Sequence, residues 1–103
     1  MVRHKFNAKA VYRNTQRFDS KLEARYAHKL DLAKKDGSLL FYLRQVPFEL
    51  PGAVKYRADF VEFWANGNVV VTDCKGVETQ MFKLKRKQLE ELYPIELNIV
   101  KDV

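Results

Sequence analysis

The stretch YRADFVEFWANGNVVVTDCKG, residues 56–76, constrains the fold more than any other part of the chain. Two runs rich in branched and aromatic residues, YRADFVEFW and VVVTDCK, flank the pair Asn66-Gly67. An Asn-Gly turn between two such runs is a strong local hairpin signal, because both residues tolerate the positive φ that a tight turn needs. The middle of the chain is therefore expected to be an antiparallel strand pair. Each strand carries one aspartate, Asp59 in the first and Asp73 near the end of the second, with Lys75 two residues on.

The flanking sequence extends the pattern. LLFYLRQVPFEL, residues 39–50, is rich in strand formers, and Pro47 points to an edge position or a bulge. PGAVK is a turn signal, so a third strand joins the meander. Upstream, FDSKLEARYAHKLDLAKKDGSL reads as a helix. Ser20 and Glu23 fit an S-x-x-E capping box, and Leu22, Tyr26, Leu30 and Ala33 form one stripe. Gly37 sits where a C-cap glycine belongs. Downstream, Thr79 caps a second helix, QMFKLKRKQLEELY, with Phe82, Leu89 and Tyr93 on one face. Pro94 ends it, and IELNIV reads as a last strand, which a helical crossover brings back parallel to the sheet. The expected order is helix, strand, strand, strand, helix, strand. That is an α/β or α+β sandwich with helices flanking a mixed sheet.

A chain of 103 residues with 47% hydrophobic content has the material for one compact core. The apolar runs are too short for a transmembrane helix, and the first residues lack the apolar stretch of a secretory signal. The single cysteine, Cys74, forms neither a disulfide within the chain nor a CxxC metal site, which suits a reducing cytosolic setting. The net charge is +6. Residues 1–17 read as a basic N-terminal arm carrying Arg3, Lys5, Lys9, Arg13 and Arg17, with residues 18–103 as the folded domain. A second basic cluster, KLKRK, spans residues 83–87. Such clusters suit a polyanion, nucleic acid being the commonest, or serve as a solvated face.

Residues two apart in a strand share a face, so Asp73 and Lys75 point together, with Cys74 toward the opposite layer. Pairing around the Asn66-Gly67 turn brings Asp59 toward Asp73. Two carboxylates about 4 Å apart repel by roughly 4 kcal/mol at an effective dielectric near 20. A divalent cation offsets this better than one lysine, and hard oxygen ligands suit Mg²⁺ or Mn²⁺. With Lys75 beside the metal, the set is equipped for hydrolysis of a phosphodiester. A strand-end salt bridge between Asp73 and Lys75, with Asp59 facing solvent, fits the same spacing. Spacing leaves both open.

The ensemble resembles the PD-(D/E)XK nuclease superfamily, which includes restriction enzymes, phage exonucleases and archaeal Holliday-junction resolvases. The resemblance covers residues 19–100: a helix with Glu23, a strand with Asp59, then Asp73-Cys74-Lys75, a basic helix and a last strand. The segments FDSKLEARY, QVPFEL, YRADF and VVTDCKG followed by KLKRK are similar to small phage and prophage nuclease-like proteins. The resemblance implies that Asp59, Asp73 and the Cys74 carbonyl hold the metal, that Lys75 positions the attacking water, and that Glu23 completes the site. Two positions depart from the motif: Ala58 replaces its proline, and Asp73 stands where glutamate is more frequent.

Glu23 suits two roles, an active-site acid or a capping-box residue only. Gln45 is a secondary candidate on the first strand, or a surface residue. Lys83, Lys85, Arg86 and Lys87 are candidates for phosphate contacts, joined by Arg57, Arg13 and Arg17. The resemblance implies a Mg²⁺- or Mn²⁺-dependent DNA nuclease leaving a 5′-phosphate. Branched or otherwise structured phage DNA is its expected substrate, and a homodimer would suit two-fold branched DNA. The alternative is an inactive basic nucleic-acid-binding or phage accessory module on the same fold.

Overall fold

The computed structural model describes residues 10–13 and 16–103. Its elements are β1 (Val11–Arg13), β2 (Gln16–Phe18), α1 (Lys21–Asp36), β3 (Leu39–Leu50), β4 (Val54–Trp64), β5 (Val69–Cys74), α2 (Gln80–Leu92) and β6 (Leu97–Val100). From α1 onward this is the expected order, in an α+β domain with a mixed sheet. The sheet runs β3-β4-β5-β6, antiparallel except for the parallel β5–β6 pair that the α2 crossover permits. Pro47 lies on β3, an edge strand, where its missing N–H does no harm. Gly67 turns the β4–β5 hairpin with φ of 93°.

Both helices begin and end as their sequences dictate. The Ser20 hydroxyl accepts a hydrogen bond from the Glu23 N–H at 3.1 Å, and Gly37 closes α1 in the left-handed conformation. The Thr79 hydroxyl accepts from the Phe82 N–H at the start of α2. Each helix covers its own core. Tyr26, Ala27 and Leu30 of α1 pack with Phe18, Leu39 and Phe60. Phe82 and Leu89 of α2 pack with Tyr56, Ala58, Val61, Val71 and Leu97. Burying one such Leu or Phe stabilises by roughly 1.5–3 kcal/mol. The α1 stripe is rotated from the expected one: Glu23, Ala24 and Ala27 are buried, while Leu22 is half-buried.

The expected basic arm is partly folded. Arg3, Lys5 and Lys9 lie outside the described residues, but β1 and β2 form a short antiparallel hairpin against α1. Phe18 is fully buried in the α1 core, and that burial anchors two strands too short to show any period in the sequence. The boundary at residue 18 therefore falls inside a hairpin. No helix among the described residues is long and apolar enough to cross a membrane.

Candidate active site

Strict alternation would keep Tyr42, Arg44, Val46 and Phe48 of β3 on one face of the sheet. Instead Tyr42 packs with α1 and Arg44 reaches Glu23 of α1, while Val46 and Phe48 pack in the α2 core. β4 does the same: Tyr56 and Ala58 face α2, whereas Phe60 and Glu62 face α1. The residues at the switch are Gln45 and Asp59, opposite each other between the Arg44–Phe60 and Val46–Ala58 pairs. Gln45 is in the left-handed region, with φ of 53°. A non-glycine residue there is strained, and such strain clusters at functional positions.

This switch turns both polar side chains toward the first turn of α1. The Gln45 amide donates to Asp59 Oδ1 at 3.2 Å and to Glu23 Oε2 at 3.0 Å, bridging the two acids. Arg44 also donates to Glu23 Oε2, at 3.2 Å, with its guanidinium stacked 3.9 Å from the Phe18 ring centroid. The Glu23 carboxylate is thus engaged with the sheet, while only its backbone N–H serves the Ser20 cap. Asp59 Oδ2 accepts from the Cys74 N–H at 2.9 Å.

Asp73 lies directly behind Asp59. Its Oδ1 accepts from the Asp59 N–H at 2.8 Å, and its Oδ2 accepts from the Tyr56 hydroxyl. The structure thus brings Asp59 and Asp73 together. Asp73, however, is turned into the α2 side of the core and does not line the cavity described next. Tyr56, Arg44 and the Glu62 cluster were not signalled by the sequence. Glu62 is buried and accepts from Tyr26 at 2.6 Å and from Trp64 Nε1 at 3.0 Å, which fixes Trp64 at the core rim.

A cavity of about 390 Å³ opens between the start of α1, the end of β5 and the start of α2. Glu23, Asp59, Cys74, Lys75 and Phe82 line it. The Lys75 ammonium sits 5.1 Å from the Phe82 ring centroid, and its backbone N–H donates to the Val100 carbonyl, fixing the end of β5. Burial pushes the Asp59 carboxyl above its ordinary value, against the pull of the Cys74 N–H and the Lys75 charge. Burial and then the Asp59 charge raise Glu23, with Arg44 opposing. Burial lifts Asp73 to about 6, outweighing the Asp59 N–H and Lys75. Burial also raises the Cys74 thiol, which packs beside the α1 core and is a poor nucleophile there.

Among the described residues no three His, Cys, Asp or Glu side chains form a ligand group. The donor set at the cavity is two carboxylates, Glu23 and Asp59, with the Cys74 backbone beside them. Such a set fits Mg²⁺ or Mn²⁺, since Mg²⁺ is commonly held by one or two carboxylates and completes its shell with water and phosphate. Each Asp59 oxygen accepts one of these hydrogen bonds and retains a lone pair, whereas Glu23 Oε2 accepts two, so Glu23 would bind a cation through Oε1.

The basic candidates divide. Arg86 is engaged within the fold, with Glu90 at 3.5 Å, Glu78 at 3.8 Å and the Leu97 carbonyl at 3.5 Å. Arg13 pairs with Asp31 at 2.5 Å and Arg17 with Asp19 at 2.9 Å. Lys83, Lys87 and Arg57 are exposed and Lys85 is half-buried. Glu78, Glu90 and Glu91 share a groove of about 490 Å³ with Lys83, Arg86 and Lys87, so that face of α2 is of mixed charge.

Residues 3–102 match the family described as "Protein of unknown function (DUF1064)", and the chain belongs to it. No curated protein and no solved structure matches the chain.

Proposed function

We propose that this member of the DUF1064 family is a metal-dependent nuclease that hydrolyses phosphodiester bonds in DNA. One observation carries the reading: Glu23 and Asp59, from different elements, are bridged by the Gln45 amide in a cavity that Lys75 also lines. A buried and a half-buried carboxylate, both with raised proton affinity, are costly to ionise side by side unless a cation joins them. In this reading Glu23 and Asp59 hold Mg²⁺ or Mn²⁺, with the Cys74 carbonyl as a third oxygen. The bound cation would supply charge stabilisation at the scissile phosphate. Lys75 orients the attacking water and steadies charge that develops on the phosphate. Asp73, clamped by Tyr56, fixes the Asp59 backbone and so aims its carboxylate. Lys83, Lys85, Lys87 and Arg57 grip backbone phosphates, contacts that position DNA without reading its sequence.

The element order and the Asp59, Asp73-Cys74-Lys75 pattern support assignment to the PD-(D/E)XK superfamily. A cytosolic setting, a structured phage DNA substrate and a homodimer go with that assignment. One observation favours the second reading, an inactive nucleic-acid-binding or accessory module: both Asp73 oxygens are used inside the fold.

The test is incubation with labelled branched, duplex and single-stranded DNAs in Mg²⁺, Mn²⁺ or EDTA. The nuclease reading expects 5′-phosphate products with either metal, none in EDTA and none from Asp59→Asn. DNA binding without cleavage under every condition would leave the second reading.

A further inference from the structure

The outer side of α1 carries a groove of about 570 Å³ against the β1–β2 hairpin. Val11, Ala24 and Leu32 give it apolar walls, and Arg13, Arg25 and Lys29 give it positive charge. His28 and Val103, the last residue, complete the lining, and no Asp or Glu side chain lines it among the described residues. Tyr12 stands at its side, 68% exposed, which is far more than an aromatic ring needs for packing.

Asp31 neutralises Arg13, so the charge available to a partner comes from Arg25 and Lys29. Lys21 precedes them by one turn and is also exposed. The three are four residues apart, on one side of α1, with about 6 Å of helix rise between neighbours. Like charges at this spacing weaken a helix, and a bound polyanion with phosphates at similar intervals relieves that repulsion. The first turn of α1 belongs to both sites. Leu22 and Glu23 line the catalytic cavity, while Ala24 and Arg25 line the groove. A strand leaving the cavity across that turn meets the groove.

We propose that this groove holds a single-stranded part of the nucleic-acid substrate, with a base stacked on Tyr12 and successive phosphates on Lys21, Arg25 and Lys29. The inference rests on the nuclease reading for the identity of the polyanion. A duplex offers phosphates alone to such a surface. An exposed ring between apolar walls and cations matches a strand whose bases are unstacked.

The test is fluorescence anisotropy of a labelled oligo-dT strand and a duplex of equal length, in EDTA, over a range of salt concentrations. Tyr12→Ala should weaken single-strand binding about ten-fold, and Tyr12→Phe should bind like wild type. Joint replacement of Lys21, Arg25 and Lys29 by Ala should flatten the single-strand salt slope by about two units. Melting temperatures should not fall, because all four side chains are exposed and removing like charges from α1 relieves their repulsion. Unchanged single-strand affinity in Tyr12→Ala, or an unchanged slope in the triple variant, would overturn the proposal. Because no cleavage occurs in EDTA, an inactive protein that still shows these losses would remove the nuclease reading and leave the groove's role standing.

Discussion

Gln45 and Asp59 face each other where β3 and β4 both change sides, and the Gln45 amide donates to Asp59 Oδ1 at 3.2 Å. The irregularity does more than bend the sheet. It directs two polar side chains toward Glu23 at the start of α1 and frees the Asp59 carboxylate to accept from the Cys74 N–H. A regular ladder would have kept both on one face of the sheet, without the change of side that separates the two cores.

The left-handed backbone at Gln45 makes a stability prediction. An L-residue with a β-carbon is disfavoured there by about 1–2 kcal/mol, and glycine is not. Gln45→Gly should therefore be more stable to urea than Gln45→Ala by about 1 kcal/mol, although both lose the amide. Equal or reversed midpoints would mean that the backbone at residue 45 is not left-handed in solution.

The raised Asp73 pKa predicts a pH effect. Its carboxyl moves from 3.8 to about 6, so between those values the folded chain keeps a proton that the unfolded chain has released. Its contribution to stability is present below about pH 4 and is lost as pH rises through about 6, a fall on the order of 2–3 kcal/mol. Asp59 and Glu23, also raised, act in the same direction. Urea midpoints of Asp73→Asn should decline less over this window than those of wild type. Parallel curves would contradict the assignment.

Metal should reverse that trend. At the proposed cation site protons and Mn²⁺ would compete for Glu23 and Asp59, so Mn²⁺ should raise the melting temperature more at pH 8 than at pH 5. Saturation at a hundred times Kd corresponds to about 2.7 kcal/mol. Asp59→Asn and Glu23→Gln should each abolish the shift while remaining at least as stable as metal-free wild type at pH 8, since each removes a charge that desolvation disfavours. A full shift in either variant would place the cation elsewhere.

The charges of α2 should separate into two kinds. Arg86 ties Glu78, Glu90 and the Leu97 carbonyl together, so Arg86→Ala should lower the melting temperature. Lys83→Ala with Lys87→Ala should leave it unchanged and flatten the duplex-binding salt slope by roughly one to two units. An unchanged slope would return these lysines to a solvated face.

The elements were legible where local chemistry is decisive. Ser20, Gly37, Asn66-Gly67 and Thr79 each announce a cap or a turn, and Pro47 announces an edge. The β1–β2 hairpin was not legible, because its stability comes from burying Phe18 against α1 and not from any periodicity. In the site, Asp59, Asp73 and Lys75 stand out as polar residues in the most apolar segment, whereas Glu23 reads locally as a helix cap and only the resemblance marks it as a site acid. It cannot reveal that both strands switch faces at Gln45 and Asp59, since a change of alternation depends on which core each neighbour enters. Nor does Tyr56 advertise itself: an aromatic residue in a strand reads as core until its hydroxyl is seen donating to Asp73.

The central claim is that Lys75 acts on the transition state in a cavity whose carboxylates hold a metal. The most direct measurement is single-turnover cleavage of labelled branched DNA in Mn²⁺ by wild type and Lys75→Met, with affinity measured in parallel in Ca²⁺. The account predicts cleavage lost by at least about a hundred-fold, with DNA affinity within a few-fold of wild type, because the interaction forms only as charge develops. Cleavage by Lys75→Met at close to the wild-type rate would contradict it.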